Sequence, residues 1–300
     1  MIPIRRIVAA TDFSAPAGRA VRRAALIAKA QHAELHLLHG VHPLALYPGP
    51  DLSPAECAHG DEAAATGARD RLAELAATLH THFGIETRTA TRIGRAHTAI
   101  ADYARAVEAD LVVTGARGEN TLLDLLLGST AARVLRVAAC PVLIVKLQTP
   151  STPYRDAVVA LDFSAGSASA PALCRAVAPD ARVELLHVYD EAIEARMHEA
   201  KLDAAFIEGY RRHALAEAET RLEAAQPEDG TFTRRVTIGS PAAAICERAA
   251  SLRAELIALG RHGKSKLQEF LLGSVAKDVA NAADCDVLVL PPATTEAVTS

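Results

Sequence analysis

The chain has 300 residues, 50% apolar and 23% charged, which suggests about two domains at ~150 residues each and excludes a disordered chain. No apolar run approaches the ~20 residues of a membrane helix, and the first apolar stretch, Ile7–Ala10, stops at Asp12, too short for a secretory signal; a soluble cytoplasmic protein off the membrane is the expectation. Net charge is −4, with 16 basic against 14 acidic residues in 1–150 and 16 against 22 in 151–300; without a basic excess or any Trp, no nucleic-acid partner is expected.

In chain order, the first half reads as alternating strands and helices. Short apolar runs bounded by polar residues predict buried parallel strands at Ile7–Ala10, Glu34–His39, Glu86–Thr91, Asp110–Thr114 and Val142–Lys146. Ser14 follows the first strand and stands where a serine caps a helix. The segment His42–Gly60, with Pro43, Pro48, Pro50 and Pro54, predicts a mobile loop that could act as a lid. Leu72, Leu75, Ala76 and Leu79 form the stripe of a half-buried helix, and Ala131, Val134 and Leu135 repeat it near the end. Thr149–Pro153 has linker composition. In the second half, Ser164 is again a cap candidate, and Ser164–Pro171 predicts a helix broken by Pro171. The charged residues of Glu191–Arg221 predict a solvated helix face.

One repeat spans half the chain. Val8-Ala9-Ala10-Thr11-Asp12-Phe13-Ser14 recurs as Val158-Val159-Ala160-Leu161-Asp162-Phe163-Ser164, and Leu37-Leu38-His39 recurs as Leu185-Leu186-His187. Leu126-Leu127-Gly128-Ser129 recurs as Leu271-Leu272-Gly273-Ser274, and Cys140-Pro141-Val142-Leu143 as Cys285-Asp286-Val287-Leu288. So long a period means two copies of one domain. The boundaries are placed at 1–147 and 154–300. Each copy is expected to be a doubly wound α/β sheet with helices on both faces, whose ligand lies at the carboxyl ends of the strands.

After the fourth strand of each copy comes the same glycine spacing, G-x2-G-x9-G-S: Gly115, Gly118, Gly128, Ser129 and Gly260, Gly263, Gly273, Ser274. Glycines let backbone approach a ligand closely, and successive N–H groups make an anion-binding concavity. The last glycine and serine open a helix, whose N-terminus favours phosphate. The hydroxyls of Ser129, Thr130 and Ser274 can add hydrogen bonds. The run Gly260–Ser265 is not a P-loop, since Ala258 stands where the first glycine is needed. Asp12-Phe13-Ser14 after the first strand argues against a dinucleotide fingerprint.

On these residues the chain resembles the universal stress protein family, in a tandem arrangement of its ATP-binding subclass. The resemblance implies, in each half, a five-stranded parallel sheet of order 3-2-1-4-5 with the nucleotide between the first and fourth strands. It implies that Asp12 and Asp162 stand beside the nucleotide, toward Mg²⁺ or ribose, and that the backbones of Val41 and Val188 read adenine. It places Gly115, Arg117 and Gly118, and likewise Gly260, His262 and Gly263, over ribose and phosphates. It places Gly128, Ser129 and Thr130, and likewise Gly273, Ser274 and Val275, at the phosphate-binding helix start. The implied ligand is ATP, or ADP or AMP, with Mg²⁺. The resemblance also implies that the two last strands pair the halves as a pseudo-twofold dimer within the chain; a homodimer of whole chains is a hypothesis beyond that.

Lys264 and Ser265 follow the second loop where Glu119 and Asn120 follow the first. A carboxylate near polyphosphate is repulsive, so the second site is expected to bind at least as well as the first. No nucleophile–base pair points to catalysis, and no catalytic residue is assigned. The leading reading is a regulatory, stress-response nucleotide-binding protein. A slow Mg-dependent ATPase and a nucleotide-free interaction module are the alternatives. His39 and His187, each ending a strand, read as hydrogen-bonded structural residues. His36, His39 and His42 alternate faces on a strand, against a zinc site. The five cysteines form no CxxC pair and read as free thiols.

Overall fold

The run Ile7-Val8-Ala9 has no polar alternation, and in the computed structural model all three side chains are fully buried. A strand covered on both faces needs a continuous apolar sequence, and parallel neighbours need helical crossovers. The structure describes residues 3–46, 52–117, 127–146, 152–227, 232–263 and 272–292. The chain divides into two compact units, Pro3–Pro153 and Tyr154–Ser300.

In the first unit, strands β1 (Arg6–Ala10), β2 (Glu34–Val41), β3 (Thr87–Ile93), β4 (Leu111–Gly115) and β5 (Val142–Val145) alternate with helices. The helices are α1 (Ala15–Gln31), α2 (Pro54–Phe83), α3 (Ala96–Ala106) and α4 (Ser129–Val137). The strands run parallel in the order β3-β2-β1-β4-β5. The core sits under α1, whose Ala17, Ala20, Val21, Ala24 and Ala28 form a small buried face. Ser14 caps α1: its hydroxyl accepts from the Ala17 N–H. Leu72 and Leu79 are buried on α2, as their spacing predicts.

The second unit repeats the plan. Its strands are β6 (Asp156–Ala160), β7 (Arg182–Asp190), β8 (Phe232–Gly239), β9 (Leu256–Gly260) and β10 (Asp286–Leu290). They run parallel in the order β8-β7-β6-β9-β10. The helices are α5 (Ala170–Val177), α6 (Ala192–Glu199), α7 (Ala204–Ala224), α8 (Pro241–Leu252) and α9 (Ser274–Ala282).

Four readings of the sequence are corrected. The expected loop His42–Gly60 gives way to α2 at Pro54. Ser53 and Glu56 form a reciprocal capping box, and Pro54 occupies the first turn, where its missing N–H costs nothing. Residues 47–51 of that segment lie outside the described residues. Pro171 does not break a helix; it opens α5, for the same reason as Pro54. Ser164 consequently caps no helix and lies in the turn that precedes α5. The third strand, β3, is not a buried apolar run: it alternates threonine and arginine, is half-exposed, and leaves Ile93 48% exposed. The linker positions 147–151 lie outside the described residues.

Candidate functional site

Two first-strand ends carry the same turn. In the second unit the Asp162 Oδ1 accepts from the Ser164 N–H (3.0 Å), the Ser164 hydroxyl (2.6 Å) and the Ser167 hydroxyl (2.7 Å). In the first, Asp12 Oδ1 accepts from the Ser14 N–H at 3.0 Å and from the Ser14 hydroxyl. An Asp side chain bonding the N–H two residues on closes an Asx-turn. The residue between them then takes a positive φ in the type II form. Phe13 (φ 65°) and Phe163 (φ 60°) both do so. Such a backbone costs about 1–3 kcal/mol in a bulky residue and persists only where the surroundings impose it.

What surrounds each Phe is also repeated. His39 donates from Nδ1 to the Thr11 carbonyl (2.8 Å) and His187 to the Leu161 carbonyl (2.7 Å). A carbonyl can only accept, so Nδ1 carries the proton in both. His39 packs on Phe13 with tilted rings at 4.7 Å, and His187 stacks on Phe163 at 4.5 Å. The guanidiniums of Arg71 and Arg221 lie over the same Phe rings, at 3.9 and 5.5 Å. His36 meets the Tyr103 hydroxyl at 2.9 Å, and no metal cluster exists among the described residues.

The glycine frames close by one pattern. Arg261 N–H donates to the Leu290 carbonyl (2.8 Å), and Gly273 N–H donates to the Arg261 carbonyl (3.0 Å). In the first unit Ala116 and Gly128 make the matching bonds, to the Val145 and Ala116 carbonyls, both at 2.8 Å. A Cβ on Gly273 would stand 2.8 Å from the Arg261 carbonyl oxygen, so this position admits glycine only. Gly260 backs onto Gly166, and Gly115 onto Pro16, each at 3.3 Å from the place of a Cβ. Gly263 faces the Asp162 Oδ2 at 3.3 Å on the same measure. Helices α9 and α4 begin at Gly273 and Gly128, where no side-chain cap is present among the described residues.

In the second unit these parts enclose a cavity of about 590 Å³ at the carboxyl ends of β6, β7 and β9. That volume lies within the range of small-molecule sites. Asp162, Val188, Gly260, His262, Gly263, Gly273, Ser274 and Val275 all line it. In the first unit Asp12 and Gly115 flank the start of α1, while Gly128, Ser129 and Thr130 open α4; Arg117 precedes a gap in the described residues. Gly118, Glu119, Asn120, Lys264 and Ser265 lie outside the described residues.

Val41 and Val188 are not equivalent. Val41 pairs with Ile93, whereas Val188 pairs with Thr237 and Tyr189 with Ile238, so the counterpart of Val188 is Gly40. A Cβ on Gly40 would lie 3.3 Å from the Ala96 Cα, at the start of α3. Val41 itself packs with Ala65, Ala68 and Phe13.

The sequence reading missed one wall. Tyr210, Ala214, Glu217, Ala218 and Arg221 line the cavity from α7, and Ile193 from α6. Their spacing is a helical stripe, hidden because it mixes aromatic, small and charged residues. Glu191–Arg221 is therefore not simply a solvated face. Glu194 is buried, and both its oxygens accept from Arg211, one from Nε at 2.6 Å. That hydrogen bond holds the Glu194 carboxyl below its ordinary value, and burial with the nearby Glu194 pushes the Tyr189 phenol up to about 12.

A lowered folded pKa stabilises above the ordinary value and is lost as the pH falls through the lowered one. The α6–α7 tie is thus fully in place above about pH 4.5 and is lost only as the pH falls through the lowered Glu194 value. Hydrogen exchange of α6 amides, corrected for intrinsic rates, should accelerate there in the native chain. In Glu194→Gln it should be fast already at neutral pH.

Two doubly wound α/β units, each with a glycine-framed helix start, define a duplicated protein, and in the second unit a cavity lies at the carboxyl ends of the strands. Residues 3–146 and 153–291 each match the universal stress protein family, and the chain belongs to that family. It is 30% identical over 298 residues to a universal stress protein of Mycolicibacterium smegmatis, covering 95% of this chain and 97% of that protein. It is 31% identical over 185 residues to one of Mycobacterium bovis, 61% of this chain, and spans 62% of that relative's length. The fold is similar to the crystal structure of a universal stress protein from Archaeoglobus fulgidus, at a TM-score of 0.69 and 20% identity, covering 96% of both chains. Among the described residues no helix is long and apolar enough to cross a membrane.

Proposed function

We propose that the second unit binds an adenine nucleotide, ATP or its di- or monophosphate, and that the protein is a nucleotide-responsive regulator. The observation that carries this is convergence: eight residues singled out from the sequence line one cavity of suitable size. The N–H groups of the first turn of α9 suit phosphate, and the apolar flank of Val188, Pro241 and Ile245 suits a base. Occupancy can shift the chain's shape or partner surface only through differential affinity for two states.

The donor set admits Mg²⁺ as a companion of the phosphates. Asp162 has Oδ2 toward Gly263, and with no acidic or histidine cluster among the described residues, phosphate and water would supply the other ligands. Bound there, the ion would offset phosphate charge. The first unit keeps Asp12 and the glycine frame, but α3 crowds Gly40, so we assign it the weaker site.

Photolabelling of the full chain with 8-azido-ATP tests the assignment. The expected label falls on the peptide containing Leu186–Asp190 and is displaced by excess ATP. Label confined to residues 3–146 would contradict it.

A further inference from the structure

The strained Phe163 backbone and the stack around it occur at the wall of the cavity. We propose that Phe163 is a positioning residue: it sets how firmly the second unit grips its ligand by holding Asp162 in place. The inference rests on the proposed nucleotide site.

Three observations combine. Phe163 is the middle residue of the Asx-turn that Asp162 closes with the Ser164 N–H, and its φ of 60° is what that turn needs. Its ring packs against two cavity-lining groups, His187 at 4.5 Å and the Arg221 guanidinium at 5.5 Å. His187 is itself anchored to the Leu161 carbonyl, one residue before Asp162. The chain thus closes a loop from Leu161 through Asp162 and Phe163 to His187 and back. That closed loop lets a bulky residue keep a left-handed backbone.

The consequence falls on the carboxylate. With Oδ1 held by three donors, Asp162 presents Oδ2 at Gly263, in the cavity. If the ring lets go, the Asx-turn loses its support and Oδ2 samples other directions. The same column in the first unit, Arg71–Phe13–His39, shows that the arrangement is not an accident of one loop.

Phe163→Gly tests this, because glycine adopts the positive φ without strain and so does not threaten the fold as Phe163→Ala would. In the ligand-free full chain, the Ser164 amide should exchange at least ~10-fold faster in Phe163→Gly, while buried β6 amides such as Val159 keep native rates. Mg-ATP should bind at least ~10-fold more weakly, and Phe163→Tyr, which keeps the stack, should restore both. Unchanged Ser164 exchange would overturn the proposal, as would β6 exchanging in step with it, or native Mg-ATP affinity in the glycine variant. Faster Ser164 exchange together with no Mg-ATP binding by the native chain would uphold the positioning and remove the nucleotide reading.

Discussion

Gly273→Ala is expected to abolish tight Mg-ATP binding by the second unit. The new Cβ would press to 2.8 Å on the Arg261 carbonyl oxygen, which is backbone and cannot rotate away. That same carbonyl accepts the Gly273 N–H at 3.0 Å. The contact is relieved only by moving the start of α9, with the N–H groups of Ser274 and Val275 that line the cavity. Overpacking of this kind costs about 1–3 kcal/mol. At ~2–4 °C per kcal/mol, Tm of the second unit should fall by several degrees, and affinity by more than ~10-fold. Gly209→Ala is the control. Gly209 lies in α7 with nothing within 4 Å of its would-be Cβ. Alanine there should stabilise by ~0.5–1 kcal/mol and leave binding intact. Calorimetric titration and a thermal scan of both variants check the pair.

Asp162→Ala carries the second large effect. It strips the acceptor from three donors at once, the Ser164 N–H and the Ser164 and Ser167 hydroxyls. Leaving such part-buried donors without their partner costs about 1–3 kcal/mol. The site also loses the only carboxylate that faces Gly263 among the described residues. Affinity for Mg-ATP should drop ~10–100-fold, equivalent to about 1.4–2.8 kcal/mol. Asp162→Asn keeps one acceptor oxygen and should lose less stability than alanine, while its missing charge still weakens Mg-ATP. Asp12→Ala differs in kind: Ser14 both bonds Asp12 and caps α1, so the damage should extend into that helix. Titration of the three variants, with far-ultraviolet circular dichroism for α1, distinguishes these outcomes.

What the sequence discloses follows from where its physics is local. Ile7–Ala9 and Leu111–Val113 are buried on both faces, so each shows as an unbroken apolar run. The second glycine frame is legible because only glycine fits where Gly273 meets the Arg261 carbonyl. Signals that mix opposing rules were lost. Ser53-Pro54-Ala55-Glu56 is a helix start, yet it ends a proline-rich stretch that reads as a loop. Tyr210, Glu217 and Arg221 share a helical stripe, but its polarity matches a solvated face. The equivalence of Val188 with Gly40 depends on strand register, which a one-residue slip conceals, because a valine follows each histidine closely. The columns on Phe13 and Phe163 join residues some 58 positions apart, from Phe13 to Arg71 and from Phe163 to Arg221, and no local pattern marks them.

The measurement that bears most directly on the second-unit cavity is a calorimetric titration of the full chain with Mg-ATP, run beside Gly273→Ala. The cavity predicts saturable binding with at least one site per chain in the native protein and its loss in the variant. No heat of binding in the native chain, or an isotherm that Gly273→Ala leaves unchanged, would contradict it.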